Sequence, residues 1–289
     1  MPARPRRGPR ATLLLLILLV LAAGLLYLAK RREGEVARPA PAPQPGAATP
    51  RVPRRRAAVR RTPTATPPAP ARIAIVVDDL GNDFEAVRRL AGLEEPVAGA
   101  VLPGLPGSAQ AARALQRAGK EVILHLPMEP RGYPEVRPGP GVVVRAQSAE
   151  EIAETVTRGL ASVPGAIGVN NHMGSAATAD SRVMRVVLEQ VAERGLFFLD
   201  SRTTEQTVAG PLARELGVRS ASRQVFLDRL ATEPAVRLAL EELVRRARRE
   251  GFAIGVGHPY GVTLDVLERE LPRLAAKGVR VVPLSELVR

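Results

Sequence analysis

Residues 73–81 read IAIVVDDLG. Five apolar residues in a row, most of them β-branched, end on two adjacent carboxylates and a glycine. A short apolar run bounded in this way is the pattern of a strand buried on both faces. Its C-terminal end delivers Asp78 and Asp79 together. Neighbouring carboxylates repel unless a cation or a shared proton lies between them. Asp is also ordinary in turns, so the pair alone does not separate a site from a solvated turn. The rest of the chain does.

Working outward, strand-like runs recur at 73–77, 97–102, 121–126, 166–169, 196–199, 224–227, 253–257 and 279–282, with helical patterns between most of them. Asn82 with Glu85 three residues later is a capping-box signal. Ile152, Val156 and Leu160 form one apolar stripe and Val183, Val187 and Val191 another, the second entered through Asp180 as N-cap. Residues 232–250 make a long, charged helix. Strand–helix alternation predicts a parallel sheet with helices outside. Seven or eight such units suit an α/β fold with a closed or nearly closed barrel, with a doubly wound open sheet as the alternative. The stretch 127–147, containing PRGYPEVRPGPG, has no periodicity and reads as a long loop on the functional face.

The segment before residue 72 is of another kind. Residues 1–72 hold fifteen Lys/Arg and two Glu of the chain's 42 basic and 29 acidic residues, which leaves 27 of each for residues 73–289. The putting of all the excess charge outside the folded part removes the basic footprint that nucleic acid binding needs. Residues 1–10 are basic. Residues 11–29 are uncharged and mostly Leu, just long enough to span a hydrocarbon core of roughly 30 Å. This predicts a transmembrane signal anchor, with a cleaved signal and secretion as the alternative. Residues 30–71 are Pro/Ala/Arg-rich, without periodicity, and read as a disordered linker. Residues 72–289 form the folded domain, expected on the outer side of a bacterial inner membrane, in the periplasm or outside the cell. There is no Cys, which excludes thiolate metal sites and Cys nucleophiles. No GxSxG elbow or Walker A loop occurs, and LPGLPGS at 102–108 lacks the Lys of a phosphate loop.

All three His of the chain follow strand-like runs: His125 in VILHLPMEP, His172 in IGVNNHMGS and His258 in AIGVGHPYG. Asp200 ends LFFLD and Asp228 ends QVFLD. In a parallel barrel all strand C-termini open on one face, so Asp78, Asp79, His125, His172, Asp200, Asp228 and His258 converge on one rim. Asp and His together suit Zn²⁺ or another divalent first-row metal. One Asp left unligated can act as general base and one His as general acid.

VVDDLG, HLPMEP, NNHMGS, FLDSRT and GVGHPYG, in this order, resemble the divergent polysaccharide deacetylase family, a branch of the NodB-like carbohydrate esterases. The resemblance covers residues 72–289. It implies a distorted barrel, a divalent metal, and hydrolysis of N-acetyl groups on an amino-sugar polymer, here a cell-envelope glycan. It also implies that Asp78 is the base, that Asp79 binds metal, and that His258 assists the leaving amine. NodB enzymes take two ligands from His-x-x-x-His, whereas this spacing gives His125 and Glu129. The third ligand is therefore either Glu129 or His172. His172 is favoured, because neutral imidazole leaves the metal a better Lewis acid. Glu129, Asn171, Asp200, Arg202, Asp228 and Tyr260 are assigned to substrate contact or support. The Arg-containing third NodB motif has no clear counterpart. A rival reading is a non-catalytic glycan-binding or envelope-assembly protein. A metal-dependent phosphoesterase is weaker, with Arg131, Arg202 and Arg223 as its anion partners.

Overall fold

The structure, a computed structural model, describes residues 70–289. The basic segment 1–10, the apolar segment 11–29 and the Pro-rich stretch as far as residue 69 lie outside the described residues. Among the described residues no helix is long and apolar enough to cross a membrane.

The described residues form nine strands, β1 Ala71–Leu80, β2 Ala98–Val101, β3 Val122–Met128, β4 Gly168–Met173, β5 Phe197–Asp200, β6 Ser220–Ser222, β7 Val225–Phe226, β8 Phe252–Gly257 and β9 Val279–Val281. They pair in the order β6-β5-β4-β3-β2-β1-β8-β7, with β9 also on β1, and every pairing is parallel. β6 and β7 are the two ends of that path, yet only residues 223 and 224 separate them in the chain. The Arg223 amide donates to Asp200 O and the Gln224 amide to Ile254 O, both at 2.9 Å. One extended segment thus pairs with β5 through its first half and with β8 through its second, and it carries the sheet round into a barrel. The strand-like runs of the sequence all correspond to strands. β6 was not among them, since Ser-Ala-Ser has no apolar run.

Strand alternation separates two cores. Along β1, Ile73, Ile75 and Val77 pack outward with the helices, while Ala74 and Val76 point inward. Ile123 of β3, Phe197 and Leu199 of β5, and Ile254 and Val256 of β8 fill the same interior. The helices α1 Phe84–Gly92, α2 Ser108–Arg117, α3 Ala149–Ser162, α4 Ser181–Glu193, α5 Ala209–Glu215, α6 Glu233–Glu250 and α7 Gly261–Glu270 contribute their buried apolar residues to the outer core alone. A doubly wound sheet would have helices on both faces, so that alternative is set aside.

The C-terminal tail closes the barrel floor. Val282, Leu284, Leu287 and Val288 are buried in the interior cluster, each side chain worth about 1.5–3 kcal/mol when fully buried. Ser285 donates to Glu121 just before β3, and Arg289 exchanges backbone bonds with Ser220 at the start of β6. The opposite end, where the strands finish, remains open.

The helix starts follow their caps. Asp180 caps α4 through the amides of Arg182 and Val183, and Ser148 with Glu151 forms a full capping box on α3. For α1 the cap is Asp83, which accepts from the Ala86 amide at 3.0 Å, one residue beyond the Asn82 signal. The long loop after β3 is tied back to that strand, with the Val143 amide donating to Pro127 O and the Glu129 amide to Val143 O.

Candidate metal centre

The inward file of β1 runs Ala74, Val76, Asp78, so alternation alone brings Asp78 to the open end of the interior. Asp79 would face the helices if alternation continued. It does not: Asp79 has φ 57°, and the pairing of β1 with β2 shifts register between Val77 and Leu80. The left-handed residue and the irregular register turn the second carboxylate to the same side as the first. Such a conformation costs on the order of 1–3 kcal/mol, and Asp tolerates it better than most residues. Met173 at the end of β4 and Arg202 just after β5 have positive φ as well. All three non-glycine cases among the described residues therefore lie at strand ends on this rim.

Asp79, His125 and His172 meet there. Asp79 Oδ1 lies 3.1 Å from His125 Nε2 and 2.9 Å from His172 Nδ1, and the two ring nitrogens are 3.1 Å apart. Donors about 2.0–2.2 Å from a tetrahedral ion stand roughly 3.3 Å apart, close to this triangle. Asp79 Oδ1 is buried without a hydrogen-bond donor aligned on it, which is costly unless something cationic completes it. Asn170 sets the tautomer of His125. Its Nδ2 donates to Asp78 Oδ1 at 2.8 Å, so its Oδ1 is the acceptor for His125 Nδ1 at 2.8 Å. With the proton on Nδ1, a neutral His125 presents the Nε2 lone pair to Asp79 and His172. A nitrogen–nitrogen–oxygen donor set with one orphaned carboxylate oxygen fits a divalent cation, and among the described residues these three form the group able to hold one.

Electrostatics separates the two adjacent carboxylates. Burial raises the pKa of Asp78 against the opposing pull of His125 and Asn170. Burial acts the same way on Asp79, but the close approach of the His125 and His172 rings outweighs it and holds Asp79 well below the usual carboxylate range. For His125, burial disfavours the charged ring, and Asp78 and Asp79 more than offset that and raise its pKa.

Across the rim, His258 follows β8 and is clamped by Asp228. The His258 amide donates to Asp228 Oδ2 at 2.6 Å, and His258 Nδ1 pairs with Asp228 Oδ1 at 3.0 Å. Thr263 Oγ1 of α7 donates to Oδ2 at 2.9 Å. Gly257 permits this approach, because a Cβ there would stand 3.2 Å from Asp228 Oδ2. Burial disfavours charge on His258, yet the Asp228 bond overcomes it and raises the pKa. Nε2, the free nitrogen, lies 3.8 Å from Asp79 Oδ2 and so faces the same space as the metal triad.

The remaining sequence candidates take other places. Glu129 is buried but not in the triad: Arg145 donates to Oε2 through its amide at 2.6 Å and to Oε1 through Nε at 2.8 Å. Asn171 points away from the centre, accepting from the Ser201 amide and donating to Met173 O. Asp200 is buried with its pKa raised by that burial, and it accepts from the Arg202 amide and Thr207. Arg202 is exposed, 3.9 Å from Glu205. Tyr260 is half exposed, its ring 5.5 Å from that of His258. Asn170, Thr263 and Arg145 are the residues sequence reasoning missed. Asn170 shares the inward file of β4 with His172, two residues on, and that period of two was the available signal.

Residues 75–288 match the family described as divergent polysaccharide deacetylase. An uncharacterised protein of Haemophilus influenzae is 34% identical over 221 residues, covering 76% of this chain and 78% of that protein. The uncharacterised protein YibQ of Escherichia coli is 32% identical over 204 residues, 71% of this chain and 63% of its own length. Among solved structures, an uncharacterised protein of Agrobacterium tumefaciens superposes with a TM-score of 0.74 at 27% identity, covering 77% of this chain and 91% of that one.

Proposed function

Given that the chain belongs to the divergent polysaccharide deacetylase family, we propose that it is a metal-dependent hydrolase that removes N-acetyl groups from an amino-sugar polymer of the cell envelope. Asp79, His125 and His172 would hold the ion, and Zn²⁺ suits their donor set best. When bound, such an ion polarises a carbonyl oxygen and lowers the pKa of water. Asp78 takes the proton from the attacking water; its Oδ1 is held by Asn170, and its raised pKa suits a group that must accept and then release a proton. His258, with Nδ1 pinned on Asp228, hands a proton from Nε2 to the departing amine. The carbon–nitrogen bond breaks, the water oxygen joins the acyl carbon, and acetate and a free amino sugar leave.

The observation that supports this most is the triangle of ligand atoms around an orphaned Asp79 oxygen. The test is acetate release by the purified full chain from a panel of N-acetylated glycans, with and without added Zn²⁺ and other first-row metals. Metal-dependent release from any of them supports the reading. A second reading, a glycan-binding protein without turnover, draws on Glu129: the position where NodB enzymes have a second His ligand is here a carboxylate engaged by Arg145. Retention on a glycan column with no acetate released under any metal favours it.

The apolar segment 11–29 and the Pro-rich stretch after it support a single-pass anchor in a bacterial inner membrane, with the barrel in the periplasm. Protease added to spheroplasts should then remove the barrel and leave a small membrane-bound stub. Protection of the barrel contradicts that placement.

A further inference from the structure

A groove of about 450 Å³ opens at the barrel seam, lined by Arg202, Arg223, Arg229 and Arg246 against Glu205 and Glu250. This is within the range of small-ligand sites, and its lining is mostly charged. Two connections tie it to the rim. Arg229 follows Asp228, the carboxylate that clamps His258. The Arg223 guanidinium lies 4.9 Å from the centre of the Phe226 ring, and that ring is 5.1 Å from the ring of His258.

The charges in the groove are not balanced from within. Glu250 pairs with Arg246 at 3.0 Å, and Glu205 stands 3.9 Å from Arg202. Arg223 has only carbonyl partners, Ser201 O at 2.7 Å and Arg202 O at 3.0 Å. Arg229 makes no ion pair or hydrogen bond among the described residues. Burial of Arg223 and then the proximity of Arg229 lower the Arg223 pKa, and the opposing pull of the buried Asp200 does not offset them. Arginine forks match oxyanions in shape as well as charge. An incoming oxyanion relieves the repulsion and finds donors already held in place by the seam.

We propose that this groove is an oxyanion subsite that takes an anionic substituent of the glycan, a phosphate or a carboxylate, beside His258. The glycan part of this assignment rests on the deacetylase reading; the anion site itself does not.

The test is calorimetric titration of the full chain in detergent at low salt with inorganic phosphate and, separately, with glucuronate. Saturable binding of at least one is expected, and the tighter of the two identifies the substituent. Arg229→Gln, an exposed change with no bond to break, should weaken binding roughly ten-fold. Glu205→Gln should tighten it, since it removes an opposing carboxylate. No saturable binding of either anion, or equal affinity in Arg229→Gln, overturns the proposal. If an anion binds as described while no N-acetylated glycan releases acetate, the subsite stands and the deacetylase reading falls. Acetate release with neither anion bound is the reverse.

Discussion

On the β1–β3–β4 side of the rim, three ligand atoms from Asp79, His125 and His172 face one another at about 3 Å, and one carboxylate oxygen has no donor aligned on it. On the β7–β8 side, both oxygens of Asp228 are engaged, by the His258 amide, its ring and Thr263. Both sides bring an Asp to a His at a strand end. They differ in what is left over. The first side leaves lone pairs that converge, a donor set able to hold a cation. The second satisfies its carboxylate within the chain and leaves one imidazole nitrogen free, which suits the passing of a proton. The same two residue types do different work because of how many donors reach the carboxylate.

The largest effect expected from breaking that contrast is on the first side. His125→Ala should abolish stoichiometric metal and acetate release together, and should also remove the rise in Tm that added Zn²⁺ gives the unaltered chain, because an ion held only by the folded state stabilises it. Metal analysis and a melting curve check both. Asp78→Asn should keep the metal and lose turnover by roughly 10²–10⁴-fold, which separates proton transfer from ligation at neighbouring residues. Asp228→Asn acts on the second side: metal content should be unchanged, while kcat falls by roughly 10²-fold, since the amide no longer holds His258 Nδ1 as a carboxylate does. A loss of metal in Asp228→Asn would mean that the two sides are one unit. The smallest effect is Asn170→Ala. It removes the tether between Asp78 and His125 and should weaken metal binding about 10–100-fold without abolishing it, as read from a competition titration.

How much of this was legible beforehand depends on which interactions are local. The strand runs and the gathering of all three His at strand ends follow from periodicity and connection order, and the barrel with its open rim follows from those. The inward register of Asp78, His125, His172 and His258 is also a local property, and applied to GVNNHM it would have yielded Asn170. The turn of Asp79 was not legible: strict alternation sends it outward, and only the left-handed φ and the register shift against β2 reverse that. The pairing of Glu129 with Arg145 depends on a sixteen-residue excursion returning to the strand it left, which no periodicity encodes. The split strand at residues 220–226 was half visible, because Val225 and Phe226 are apolar and Ser220–Ser222 are not. The Asn82 signal missed the α1 cap by one residue, since Asp83 and Asn82 are both competent caps and the backbone decides between them.

One measurement bears most directly on the proposed centre. The full chain, Glu129→Gln and His172→Ala are purified, dialysed against trace Zn²⁺ and submitted to elemental analysis. Glu129 spends both oxygens on Arg145, and His172 contributes a ligand atom to the triangle. The expected result is about one equivalent of metal in the unaltered chain and in Glu129→Gln, and none in His172→Ala. Metal retained by His172→Ala and lost from Glu129→Gln, or no metal in the unaltered chain, contradicts the account.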